Sequence, residues 1–148
     1  MSKKDPRMKD CPWLIPYFTV RNAEQAIAFY EKAFGFERGT CVPGPDGKIQ
    51  HAEMMYQGQV IVMFAPEGMG GCVSPATSHR DALINLYVYS HDVDALYLRA
   101  VRAGIQTLQP PTDMFWGDRI ARFKDPDGYD WTFGTHVREF DPAAACAK

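Results

Sequence analysis

The chain holds no apolar run approaching the roughly 20 residues of a membrane-spanning helix, so no membrane span is expected. It also lacks a charge excess. Sixteen Lys and Arg stand against eighteen Asp and Glu, a net charge of −2, which leaves no electrostatic footprint for nucleic acid. Residues 1–6 lack the apolar stretch of a secretory signal, which points to a cytoplasmic location. The four cysteines (Cys11, Cys41, Cys72 and Cys146) form no C-x-x-C pair and no metal spacing, and read as free thiols. No Gly-x-Ser-x-Gly elbow occurs, which argues against that form of nucleophilic catalysis. The glycines at 68–71 open no helix, so they make no phosphate cradle.

What is present is enough apolar and aromatic material (46 % and 13 % of 148 residues) for one well-buried domain. The strongest local signal is Asp125-Pro126-Asp127-Gly128, a turn that returns the chain as a strand. Tyr129, Trp131 and Phe133 then share one face, and Asp130, Thr132 and Gly134 the other. Upstream, Asn22 and Gln25 form a capping-box pattern before a helical run that Gly35 ends. Strands follow near 36–42, 48–56 and 60–64. Residues 66–80, rich in Gly, Ser, Pro and Thr, read as a linker or mobile loop.

The order then repeats: a strand over 83–89, a helix from His91-Asp92 to Gly104, a strand near 105–108, a loop from Pro110 to Gly117, and strands over 119–123 and 129–133. Gly35 and Gly104 lie 69 residues apart, and Gly58 and Gly128 lie 70 apart. The expected fold is therefore α+β, with two βαβββ modules whose sheets curve around a shared cavity and whose helices lie outside. Module 1 spans about 12–65, the linker 66–80 and module 2 about 81–138. One helix covers one face of each sheet; the other face awaits the second module, another subunit or a ligand.

The repeated module, the Asn22-to-Gly35 helix with its Phe29-Tyr30 pair and the Asp-Pro-Asp-Gly hairpin resemble the vicinal oxygen chelate superfamily. That group holds glyoxalase I, ring-cleaving dioxygenases and bleomycin-type antibiotic-binding proteins. The resemblance covers about residues 12–138 and implies a homodimer. In metal-dependent members, four strands each aim one metal ligand into the cavity. Those positions fall on Ile15, on or beside Met63, on or near Asn85, and on Thr132. None is His, Asp or Glu, so no metal and no cofactor are expected there.

Strand parity puts Tyr17, Asn85, Tyr87, Tyr89, Arg119 and Thr132 on the cavity side, and Trp116 in a loop beside it. These are the candidate ligand-binding residues, suited to a planar or amphipathic small molecule. Tyr87 and Tyr89 also suit packing between modules or subunits. His51 and Glu53 lie two apart on one strand and are the candidate catalytic pair, either a tuned general base or a hydrogen-bonded structural pair. Arg119 suits a clamp on a ligand carboxylate or phosphate, or a pin for its own loop. Phe115 and Trp116 suit a lid, or packing on the sheet rim. His79 and His136 have no partner at motif spacing. The expected function is metal-free small-molecule binding; the alternatives are a glyoxalase- or dioxygenase-like enzyme using His51 and Glu53, and a non-catalytic protein with a vestigial cavity.

Overall fold

The computed structural model describes residues 2–146 and builds two β-α-β-β-β runs from this sequence. Module 1 comprises β1 (Tyr17–Val20), α1 (Ala23–Phe34), β2 (Glu37–Pro43), β3 (Ile49–Tyr56) and β4 (Gln59–Pro66). A short helix, α2 (Pro75–Ser78), lies in the connection. Module 2 comprises β5 (Asn85–Tyr89), α3 (Val93–Arg102), β6 (Gln106–Asp113), β7 (Asp118–Lys124) and β8 (Asp130–His136); α4 (Pro142–Cys146) follows. The strand orders are β1-β4-β3-β2 and β5-β8-β7-β6, with the first strand of each module parallel to its last and the rest antiparallel. Among the described residues, no helix is long and apolar enough to cross a membrane.

Helices α1 and α3 both open on a capping side chain, the first at the Asn22 that the sequence indicates. Asn22 Oδ1 accepts from the Gln25 backbone at 2.9 Å to open α1, and Asp92 Oδ1 accepts from Ala95 at 3.0 Å to open α3. The two helices pack against each other, and their apolar faces join the sheets in one core. Phe34 of α1 lies 4.7 Å from Phe133 and 5.4 Å from Trp131 of β8, ring centre to centre. Trp131 is fully buried in this cluster, so Trp131→Ala costs about 3–5 kcal/mol. The second face of each sheet, away from the helices, is the inner face.

The Asp125 turn ties the modules together. Its carboxylate accepts from Tyr30 Oη at 2.6 Å and Trp131 Nε1 at 2.9 Å, and from the backbone amides of Asp127 and Tyr129 at 3.0 Å. Burial pushes its pKa above the ordinary carboxylate range despite these donors.

Several boundaries differ from the sequence reading, each for a physical reason. The alternating run from Leu14 to Val20 reads as a strand in the sequence, but β1 begins at Tyr17, because Pro16 has no amide to give. β6 extends to Asp113, through Pro110 and Pro111, because it is an edge strand that tolerates missing donors. Residues 66–80 are anchored: Glu67 accepts from Ser74 N at 2.9 Å and Ser74 Oγ at 2.8 Å, and Ala76 N donates to Asp127 O at 2.9 Å. The helix α4 had no sequence signal. Cys11, Cys41 and Cys72 are free thiols; the side chain of Cys146 lies outside the described residues.

Candidate functional site

On the inner face of module 1, the register aligns Tyr17 with Met63 and Met63 with Glu53. His51, two residues before Glu53, shares that face. Tyr17 Oη lies 3.0 Å from His51 Nδ1, and His51 Nε2 lies 3.4 Å from Glu53 Oε1. The neutral tautomer protonated on Nε2 satisfies both contacts: Tyr17 donates to Nδ1, and Nε2–H points to the buried carboxylate. Here the sequence pair gains a third member, and Met63 stands between Tyr17 and Glu53 in the row.

Module 2 is organised differently. Asp118, buried at the start of β7, accepts from Tyr87 Oη at 2.6 Å and Tyr89 Oη at 3.0 Å through Oδ2. Its other oxygen lies 2.7 Å from His136 Nδ1. Trp116 Nε1 donates to the Tyr87 hydroxyl at 3.3 Å. Burial alone would push the Asp118 carboxyl up, but hydrogen bonds from Tyr87, His136 and Tyr89 outweigh it and hold the group below its ordinary pKa. Burial, reinforced by the Asp118 charge, pushes Tyr87 up to about 12, so its hydroxyl stays a donor at neutral pH.

Two glycines make this cluster sterically possible. A Cβ on Gly134 would stand 2.9 Å from Tyr87 Oη, so the bare backbone there lets Tyr87 reach across β8 to β7. Gly117, at φ +97°, meets the carbonyl of Arg138 so closely that no side chain fits, and its own carbonyl accepts from Val137 and Arg138. That closure fixes the chain beside His136.

Of the sequence-predicted residues, Tyr17, His51 and Glu53 come together on one inner face, and Tyr87, Tyr89 and Trp116 on the other. Asn85 and Thr132 bond each other, at 2.8 Å from Nδ2 to Oγ1 and 3.0 Å from Oγ1 to Oδ1. Arg119 does not face the cavity. It pairs with Thr135 on the helix side of the sheet and binds Asp94 of α3 at 2.9 and 3.0 Å and Asp113 at 3.1 Å. Parity counted from Arg119 was one residue out of phase, because β7 starts at Asp118; Asp118, Ile120 and Arg122 are the inward residues. Phe115 is exposed and stacks edge-on against Trp116, 5.0 Å between centres.

The residues do not fit the family's metal. Ile15, Met63, Asn85 and Thr132 stand at the four donor positions that the resemblance indicates, and among the described residues no three His, Cys, Asp or Glu converge on a common point. His51 and Glu53 supply two donors, both engaged with each other.

The inner faces remain open. Tyr17, Tyr87 and Tyr89 keep 59 %, 43 % and 60 % of their surface exposed. A largely apolar cavity of about 730 Å³ runs beside β1, lined by Tyr17, Phe18, Leu83, Ile84, Leu86 and Tyr129 among others. Its size lies in the range of small-molecule sites. Among the sequence-predicted ligand residues, Tyr17 lines it; the Asp118 cluster stands outside it.

Comparison with known proteins agrees with this fold. The family model of the Glyoxalase/Bleomycin resistance protein/Dioxygenase superfamily matches residues 15–133. The uncharacterized protein Mb0911c of Mycobacterium bovis is 37 % identical over 130 residues, covering 86 % of each chain. The uncharacterized protein Rv0887c of Mycobacterium tuberculosis is equally similar, covering 86 % of this chain and 76 % of its own. Among solved structures, TioX from Micromonospora sp. ML1 superposes with a TM-score of 0.65 at 28 % identity, over 84 % of this chain and 99 % of that one.

Proposed function

The chain belongs to the Glyoxalase/Bleomycin resistance protein/Dioxygenase superfamily, and from that premise we propose that it binds a planar, amphipathic small molecule without a metal ion. The observation that carries this reading is the fixing of exposed tyrosine rings by their own hydroxyls. Tyr17 is held by His51, and Tyr87 and Tyr89 by Asp118. Rings locked by a hydrogen bond and open on one face give a ligand a flat surface at little further cost in side-chain entropy. The donor positions of metal-dependent relatives hold Ile, Met, Asn and Thr, which suit contact rather than coordination. The exposed apolar groups Trp13, Leu14, Leu83 and Ile84 fit a homodimer in which a second copy covers them.

A second reading is favoured by one specific contact set, the Tyr17–His51–Glu53 chain. In it, His51 acts as a general base that its contacts with Tyr17 and Glu53 hold in orientation.

The test is titration of tryptophan fluorescence with a panel of planar aromatic amphiphiles. Saturable quenching that weakens about tenfold or more in Tyr17→Ala or Tyr87→Ala is the expected result. No quenching and no rise in melting temperature with any member of the panel contradicts the proposal.

A further inference from the structure

Tyr87, Thr132 and Arg122 form one row across β5, β8 and β7. Opposed residues share a face, so Arg122 stands on the inner face beside Thr132, with Gln109 of β6 on its other flank. Its side chain is only partly exposed, yet it makes no hydrogen bond or ion pair with any described residue. The other basic residues of β7 are committed: Arg119 to Asp94 and Asp113, and Lys124 to Asp130 at 2.7 Å. The inner-face acid on the same strand, Asp118, is four residues away, about 13 Å by strand rise, and is already taken by three partners.

A guanidinium is always charged and presents five N–H donors in a rigid fork that matches a carboxylate. Partly withdrawn from water and without a counter-ion, it is a site for one. The surroundings define the rest of the ligand. The Asn85 amide gives one proton to Thr132 and retains the other. The ring of Tyr87, held in place by Asp118, ends the row two strand spacings from Arg122, about 10 Å. That span suits a fused-ring acid.

We propose that Arg122 anchors a planar aromatic carboxylate on the inner face of module 2. The carboxylate takes two parallel N–H···O bonds from Arg122, Asn85 supplies a further donor, and the ring lies against Tyr87. The proposal rests on the binding function above and specifies its ligand class.

The experiment compares naphthoate with its neutral isostere naphthamide on the full chain, by fluorescence quenching, in wild type, Arg122→Gln and Arg122→Lys, with circular dichroism confirming the fold. Wild type is expected to bind naphthoate about tenfold or more tightly than naphthamide. Arg122→Gln should abolish that preference, weakening naphthoate far more than naphthamide, and Arg122→Lys should retain part of it. Equal affinity for the two probes in wild type, or a preference that survives Arg122→Gln, overturns the assignment while the binding function stands. Failure of both probes to bind overturns the assignment together with the planar-ligand reading.

Discussion

The two inner faces use the same row of the same repeat to opposite electrostatic ends. In module 1 the row reads Tyr17, Met63, Glu53; in module 2 it reads Tyr87, Thr132, Arg122. Each begins with a tyrosine whose hydroxyl crosses toward the third strand of its module. In module 1 that hydroxyl meets a histidine, and the acid behind it is a long 3.4 Å contact. In module 2 it meets a buried carboxylate that gathers two tyrosines and a histidine at 2.6–3.0 Å. One module buries an acid in the row itself; the other moves its acid two rows away and leaves a cation without a partner among the described residues. The repeat therefore fixes where the walls stand, and single residues on it decide which ligand atoms each wall can meet.

The largest expected asymmetry is in Asp118→Ala against Glu53→Ala. The first strands two hydroxyls and an imidazole and should cost about 2–3 kcal/mol in urea unfolding; the second loses one long contact and should cost about 1 kcal/mol. Equal costs would break the comparison. The pH dependence sharpens it. The folded pKa of Asp118 lies below its unfolded value, so its contribution is fully present above about pH 4 and is lost as pH falls toward the folded value. Asp118→Asn should flatten the acid limb of the stability curve in that window; an unchanged limb would place the acid sensitivity elsewhere.

A smaller effect is expected at Gly134, whose neighbour Tyr89 corresponds to Thr19 beside Ala65 in module 1. Gly134→Ala should displace Tyr87 from Asp118 and cost about 1–2 kcal/mol, seen as altered Trp116 emission. Ala65→Gly should cost about 0.5–1 kcal/mol with no change in emission. Smallest is Tyr17→Phe, which removes one exposed hydrogen bond and should cost at most about 1 kcal/mol. A larger loss would show that the module 1 chain is as tightly coupled as the Asp118 cluster.

Local chemistry was legible in the sequence. The Asn22 cap, the Asp125–Gly128 turn and the repeated glycines each act within a few residues, and the elements formed where they indicated. His51 and Glu53 were legible for the same reason, being two apart on one strand. What escaped depends on strand pairing. Asp118 and His136 are 18 residues apart and meet only because β7 and β8 are in register. Arg122 was missed through the phase error at Arg119, although the hairpin itself held the correction. Counting back from Thr132 through the Asp125 turn pairs it with Arg122, not with its odd-numbered neighbours. The anchoring of residues 66–80 was hidden because Glu67, Ser74 and Asp127 belong to separate segments.

The most direct test of the central claim is one binding isotherm for naphthoate measured before and after exhaustive chelation, with metal content assayed on the same sample. Superimposable isotherms and no stoichiometric metal are the expected result. Binding that vanishes on chelation and returns with one equivalent of zinc, nickel or iron would contradict it.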